Sequence, residues 1–131
     1  MDGTVQQIMT RQVLTLAPEA DLRDVAWGLT ITGIGGAPVV DADGHVLGVV
    51  SKSDLADPGR VTPEQHETAA DAMTPLLFAI RASATVMEAV ERMVRTGAHR
   101  LLVVDDDGRL TGIVTPMDVL KEMARRKRYG G

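Results

Sequence analysis

The chain has no cysteine among its 131 residues. That excludes disulfides, thiol chemistry and cysteine-ligated zinc, and makes a reducing cytoplasm the expected setting. Aromatic residues are almost as scarce, with one Trp, one Tyr and one Phe. The core must therefore be built from Val, Leu, Ile, Met and Ala, and there are few platforms for stacking single-stranded bases. An excess of positive charge is missing too. At a net charge of −4, no bulk field draws the chain to nucleic acid or to an anionic membrane. No uninterrupted apolar run approaches the roughly 18 residues of a bilayer span. The opening residues Met1, Asp2, Gly3, Thr4 and Val5 lack the basic region of a secretory leader. A soluble, cytoplasmic protein is expected, with no membrane partner and with nucleic acid a disfavoured one.

What is present is a duplication. Shifted by 64 positions, the chain matches itself without a gap over residues 4–56. Met9-Thr10 falls on Met73-Thr74, Gly33 on Gly97, Val39-Val40-Asp41 on Val103-Val104-Asp105, Gly48 on Gly112, and Asp54 on Asp118. The expected plan is repeat 1 over residues 1–56, a connector over 57–67, and repeat 2 over 68–131 with a basic end to its last helix. At 44% hydrophobic residues, this length supports one compact core and is short for two ordinary independent domains.

Patterning assigns the same elements to each copy. In copy one, Thr4 caps a short helix, and residues 13–16 alternate as a brief strand that Pro18 terminates. Leu22, Val25, Ala26 and Leu29 then take the spacing of a core-facing helical stripe, with Gly33 at the C-cap position. Strands over 37–40 and 46–50 flank the turn residues Asp41, Ala42, Asp43 and Gly44. Copy two repeats this with a helix over 68–73, a strand over 77–80, and a stripe of Val86, Ala89, Val90, Met93 and Val94. Its hairpin spans 101–104 and 110–114, and a last helix runs over 117–128. The fold class is α/β: two β-α-β-β-α repeats packed with pseudo-two-fold symmetry, which creates two related clefts.

Each hairpin closes on Gly-x-x-[Ser/Thr]-x-x-Asp, as Gly48, Ser51 and Asp54 and as Gly112, Thr115 and Asp118. Ser-x-x-Asp before a helix is a capping box, worth about 1 kcal/mol per cap. The same helix start, with its free amides, also suits an anion. Glycine inside a strand marks a bulge or a close approach by something else. Other candidates fail. Gly33-Ile34-Gly35-Gly36 precedes a strand, so it is neither a dinucleotide fingerprint nor a P-loop. His45, His66 and His99 lack metal-ligand spacing, and no nucleophile–base set is visible. Neither catalysis nor a metal site is expected.

The element order, repeated once with the motif in register, resembles the cystathionine beta-synthase (CBS) domain family over residues 4–123. Two such repeats form a tandem CBS pair, or Bateman module, here without room for a catalytic domain. The resemblance implies clefts between the repeats that hold adenosyl ligands such as AMP, ADP, ATP or S-adenosylmethionine. These would be regulatory ligands, with no cofactor required. It implies that Asp54 and Asp118 accept the ribose hydroxyls, and that Ser51 and Thr115 lie near ribose or phosphate. It further implies that Val13, Thr15 and Ala17 line adenine in copy one, and Leu77 and Ala79 in copy two. A carboxylate suits two adjacent hydroxyls because it accepts at both oxygens, more strongly than a neutral group.

The copies differ in ways that bear on this. His99 and Arg100 stand where copy one has Gly35 and Gly36, and Arg81 stands in place of Ala17. Any phosphate would therefore meet His99, Arg100, Arg81 and Lys52. Trp27 and Ile31 lie off the core stripe, whereas their counterparts Glu91 and Arg95 suggest an exposed ion pair. The family's habit of dimerising through these helices makes Trp27 and Ile31 the expected homodimer interface. The leading expectation is a regulatory module that senses adenosine nucleotides and modulates an unknown partner. The alternatives are a structural dimerisation module without ligand and, more weakly, a transcription-linked factor using the basic tail Arg125, Arg126, Lys127 and Arg128.

Overall fold

The structure, a computed structural model, describes residues 3–32, 36–51, 68–74 and 79–128. The expected connector, Asp54, Lys52, Leu77, Gly33 and the side chain of Ile31 lie outside the described residues.

Ten elements follow one another: α1 (Val5–Ile8), α2 (Leu22–Thr32), β1 (Gly36–Val40), β2 (Val46–Ser51), α3 (Ala69–Ala72), β3 (Ala79–Arg81), α4 (Val86–Thr96), β4 (Leu101–Val104), β5 (Leu110–Val114) and α5 (Pro116–Arg128). β1 and β2 form an antiparallel pair. β3 runs parallel to β4, which pairs antiparallel with β5. The mixed α/β architecture expected from patterning is present in both copies.

The first strand differs between copies. In copy two, the amide of Ala82, just beyond β3, donates to the carbonyl of Val104 at 2.9 Å. Its counterpart is Pro18, which has no amide hydrogen to give. Copy one keeps only a parallel bridge between Leu16 and Val39 where a strand over 13–16 was expected.

The chain forms two compact units, and each is assembled from both copies. One comprises Met1–Val13 and Phe78–Gly131, the other Leu14–Leu77. The amides of Val5 and Gln6 donate to the carbonyls of Ala84 and Ala82 at 2.8 and 3.1 Å. Shifted by 64 positions, the amides of Ala69 and Ala70 donate to Ala20 and Pro18 at 2.8 and 2.9 Å. Each short helix thus begins on the loop of the other copy, and its unpaired first amides find partners there.

Two hydrophobic clusters result instead of the single core expected from length. Val5 and Met9 pack with Ile80, Val86, Ala89, Met93, Leu101, Val103, Val114 and Val119. Ala69 and Ala72 pack with Leu22, Val25, Leu29, Ala37, Val39 and Val50. Val94, expected on the α4 stripe, is 79% exposed. At 100° per residue it sits about 80° from Val86, beyond the edge that Val90 marks. Gly97 ends α4 in the left-handed conformation at φ 73°, its amide bonded to the carbonyl of Met93. Among the described residues no helix is long and apolar enough to cross a membrane.

Candidate functional site

The start of α5 gathers the motif residues of copy two. The amide and hydroxyl of Thr115 donate to Asp118 Oδ2 at 2.9 and 3.1 Å, and the amide of Asp118 donates to Thr115 Oγ1 at 3.3 Å. This is the capping box the spacing suggested. Asp118 Oδ1 has a further partner, the hydroxyl of Thr10 at 3.1 Å. Thr10 is held there by its backbone, which exchanges hydrogen bonds with Ile113 at 2.8 and 2.9 Å.

The motif glycines are explained by the same segment. A Cβ on Gly112 would lie 2.6 Å from the carbonyl oxygen of Thr10 and 2.8 Å from Met9 Sδ. A Cβ on Gly48 would lie 2.5 Å from the carbonyl oxygen of Thr74 and 2.9 Å from Met73 Sδ. The close approach marked by these glycines is therefore the Met-Thr segment that each short helix delivers to the other copy's hairpin. In copy two, Gly112 admits the segment and Asp118 bonds its threonine. Thr10 was missed from sequence. Its signal was the in-register match of Met9-Thr10 with Met73-Thr74, which carries no assigned chemistry by itself.

A second feature is a cavity of about 740 Å³ between β3 and α4, whose lining includes Ala79, Arg81, Ser83, Glu91, Arg92 and Arg95. Arg92 is anchored there by donating to the carbonyl of Ala79. Arg81 forms an exposed pair with Asp106 at 3.6 Å, and Glu88 is occupied as the capping partner of Thr85. Among the described residues no ion pair joins Glu91 to Arg95, unlike the expected i, i+4 pair. Arg95 instead lines the cavity. Of the expected ligand residues, Ala79 and Arg81 belong to this cavity, whereas Thr115 and Asp118 stand at the α5 start and do not line it.

The remaining expected residues lie on other elements of the two units. His99 and Arg100 are exposed in the segment entering β4, and Ser51 is half-buried at the end of β2. Thr15 and Ala17 are exposed and Val13 is half-buried in the irregular segment before α2. Trp27 is 69% exposed on α2. Copy two exposes apolar side chains as well, namely Met117, Leu120 and Met123 along α5. Their i, i+3, i+6 spacing is readable in the sequence as an apolar stripe ahead of the basic tail.

Among the described residues, two acidic groups have lowered pKa values. Glu122 is held at about 2 by hydrogen bonds from Arg125 and Arg126, whose charges add to the effect. Asp41 is lowered first by the backbone amide of His45, then by that of Asp43 and by the His45 side chain. Asp41, Asp43 and His45 bring donor atoms within 4.8 Å of one another. Copy two builds the identical turn on Asp105, with Asp107 and with Arg109 in the histidine's place. The turn is thus fixed by its first aspartate in both copies.

The CBS domain family model matches residues 5–57 and 69–125. The chain belongs to the CBS domain family. Its two matched stretches make it a tandem CBS pair, as the resemblance implied. The CBS-pair protein CBSX2 from Arabidopsis thaliana is 29% identical with a TM-score of 0.83, covering 98% of this chain and 99% of that one. The structure of CBSX2 in complex with AMP is 29% identical with a TM-score of 0.82, covering 95% of this chain and 98% of that one. A curated relative, an uncharacterized protein of Methanopyrus kandleri, is 31% identical over 90% of this chain, which spans 61% of the relative's length. The inosine-5'-monophosphate dehydrogenase of Methanocaldococcus jannaschii is 28% identical over 92% of this chain, but the match occupies 23% of that enzyme.

Proposed function

We propose that this CBS pair is a regulatory module that binds an adenosine nucleotide and passes its occupancy to a partner protein. The observation that carries this reading is the AMP complex of CBSX2, a relative matched over nearly the full length of both chains. The ligand class is AMP, ADP, ATP or S-adenosylmethionine. Asp54 and Asp118 are assigned to the ribose, with Ser51 and Thr115 beside them. Val13, Thr15, Ala17, Leu77 and Ala79 are assigned to adenine, and Lys52, His99, Arg100 and Arg81 to phosphate. Support for the copy-two assignment comes from Asp118, whose carboxylate sits half-buried at a helix start, where free amides favour an anion. A cytoplasmic homodimer through Trp27 and Ile31 completes the reading, supported by the exposure of Trp27.

Calorimetric titration with each nucleotide tests this. Saturable binding that Asp54→Asn or Asp118→Asn weakens at least tenfold supports it, and heats indistinguishable from dilution for every adenosyl compound at millimolar concentration reject it.

A further inference from the structure

The hydrogen bonds at Asp118 leave little room for a second hydroxyl. A carboxylate has about four acceptor positions, two on each oxygen. Thr115 fills two on Oδ2 through its amide and hydroxyl, and Thr10 fills one on Oδ1. One position remains, so a single ligand hydroxyl can be accepted with every present bond intact. Two adjacent hydroxyls cannot.

The bond that gives way is the one to Thr10. Thr115 is fixed by its own backbone and by the amide of Asp118, so moving it would open the cap of α5. Thr10 is exposed, and its hydroxyl turns about a single bond while its backbone stays on Ile113. The counterpart in copy one is arranged otherwise, since Thr74 donates its hydroxyl to the carbonyl of Val49 at 3.3 Å.

We propose that Thr10 is a specificity-determining residue of the copy-two site. Its hydroxyl holds the position on Asp118 that the second ribose hydroxyl requires, which makes ribose and deoxyribose nearly equivalent there. This rests on the assignment of Asp118 to ribose. A vicinal diol makes two bonds to the carboxylate and loses the one from Thr10, a net gain of one, whereas a deoxy sugar gains one at the open position and loses nothing.

The test is calorimetric titration of the full chain carrying Asp54→Asn with AMP and ATP, each beside its 2'-deoxy counterpart. Thr10→Val keeps the shape and the branched β-carbon but removes the donor, and Thr10→Ser keeps the donor. With Thr10 in place the deoxy-to-ribo ratio of dissociation constants is expected below about three. Thr10→Val is expected to raise it three- to tenfold by tightening the ribonucleotide, while Thr10→Ser leaves it unchanged. A ratio that Thr10→Val leaves unmoved, with binding still dependent on Asp118, overturns the inference and leaves nucleotide binding standing. Binding by the chain with native Asp54 that disappears in the Asp54→Asn background places the ligand on copy one and overturns the inference alone. No binding by either chain overturns both. Unchanged circular dichroism and melting in the Thr10 variants confirm that the fold is read intact.

Discussion

The amide of Val5 donates to the carbonyl of Ala84 at 2.8 Å, tying the first helix to the loop that leads into α4 of the other copy. Val5 is fully buried beside Val86, Leu101 and Val114. The N-terminal segment is thus part of the copy-two core. Val5→Ala should cost about 2 kcal/mol through lost burial and an unfilled cavity. Ala69, its fully buried counterpart, has no room for growth, so Ala69→Val should cost about 1–3 kcal/mol by overpacking. Urea unfolding checks both, as a lowered midpoint with an unchanged slope.

The motif glycine makes a sharper contrast. Gly112→Ala puts a methyl group 2.6 Å from the backbone oxygen of Thr10, which can recede only if the Thr10–Ile113 bridge opens. Gly28 lies inside α2 with nothing within 4 Å of a Cβ placed there. Gly28→Ala should stabilise by about 0.5–1 kcal/mol through helix propensity, whereas Gly112→Ala should destabilise by about 1–3 kcal/mol. Thermal melts that shift the same way for both would contradict this account of the motif.

Much of this was legible in the sequence. The 64-residue register and the Gly-x-x-[Ser/Thr]-x-x-Asp endings gave the family, because chemistry repeated at fixed spacing rarely arises by chance. Helix stripes and hairpin turns were legible for the same reason: their periods are local. The exchange of short helices was not, since Val5 and Ala84 are paired by tertiary packing and neither residue type announces it. Pro18 in place of Ala82 is the sequence signal of the shortened first strand in copy one, since it has no amide hydrogen to donate. Thr10 has no signal of its own, because a threonine after a short helix becomes a partner of Asp118 only once the segment crosses to the other copy.

Acid should expose the role of Glu122. Its folded pKa of about 2 lies below the ordinary value of 4.5, so its contribution is present above about pH 4.5 and is lost as pH falls toward 2. The side chain is 14% exposed between Arg125 and Arg126. Glu122→Gln should flatten the decline in stability across that window and lower stability at neutral pH. Urea midpoints measured every half unit from pH 2 to 7 check this, and parallel curves for the two proteins would contradict it.

The proposed homodimer turns on Trp27. Burying an indole that is 69% exposed would remove a large apolar surface from water. Trp27→Glu should shift the sedimenting species from dimer to monomer at micromolar concentration, with the circular dichroism spectrum unchanged. An unaltered dimer mass would move the interface away from α2, and α5 with Met117, Leu120 and Met123 would be the next surface to substitute.

Nucleotide binding at the motif aspartates Asp54 and Asp118 is the central proposal, and a thermal-shift titration with AMP, ADP, ATP and S-adenosylmethionine reaches it most directly. A ligand present at 100 times its dissociation constant adds about 2.7 kcal/mol, which raises the melting temperature of a chain this size by several degrees. The expected result is such a rise with at least one of the four, lost when Asp54→Asn and Asp118→Asn are combined. A melting temperature that none of them moves, or a rise that survives the double substitution, would contradict the account.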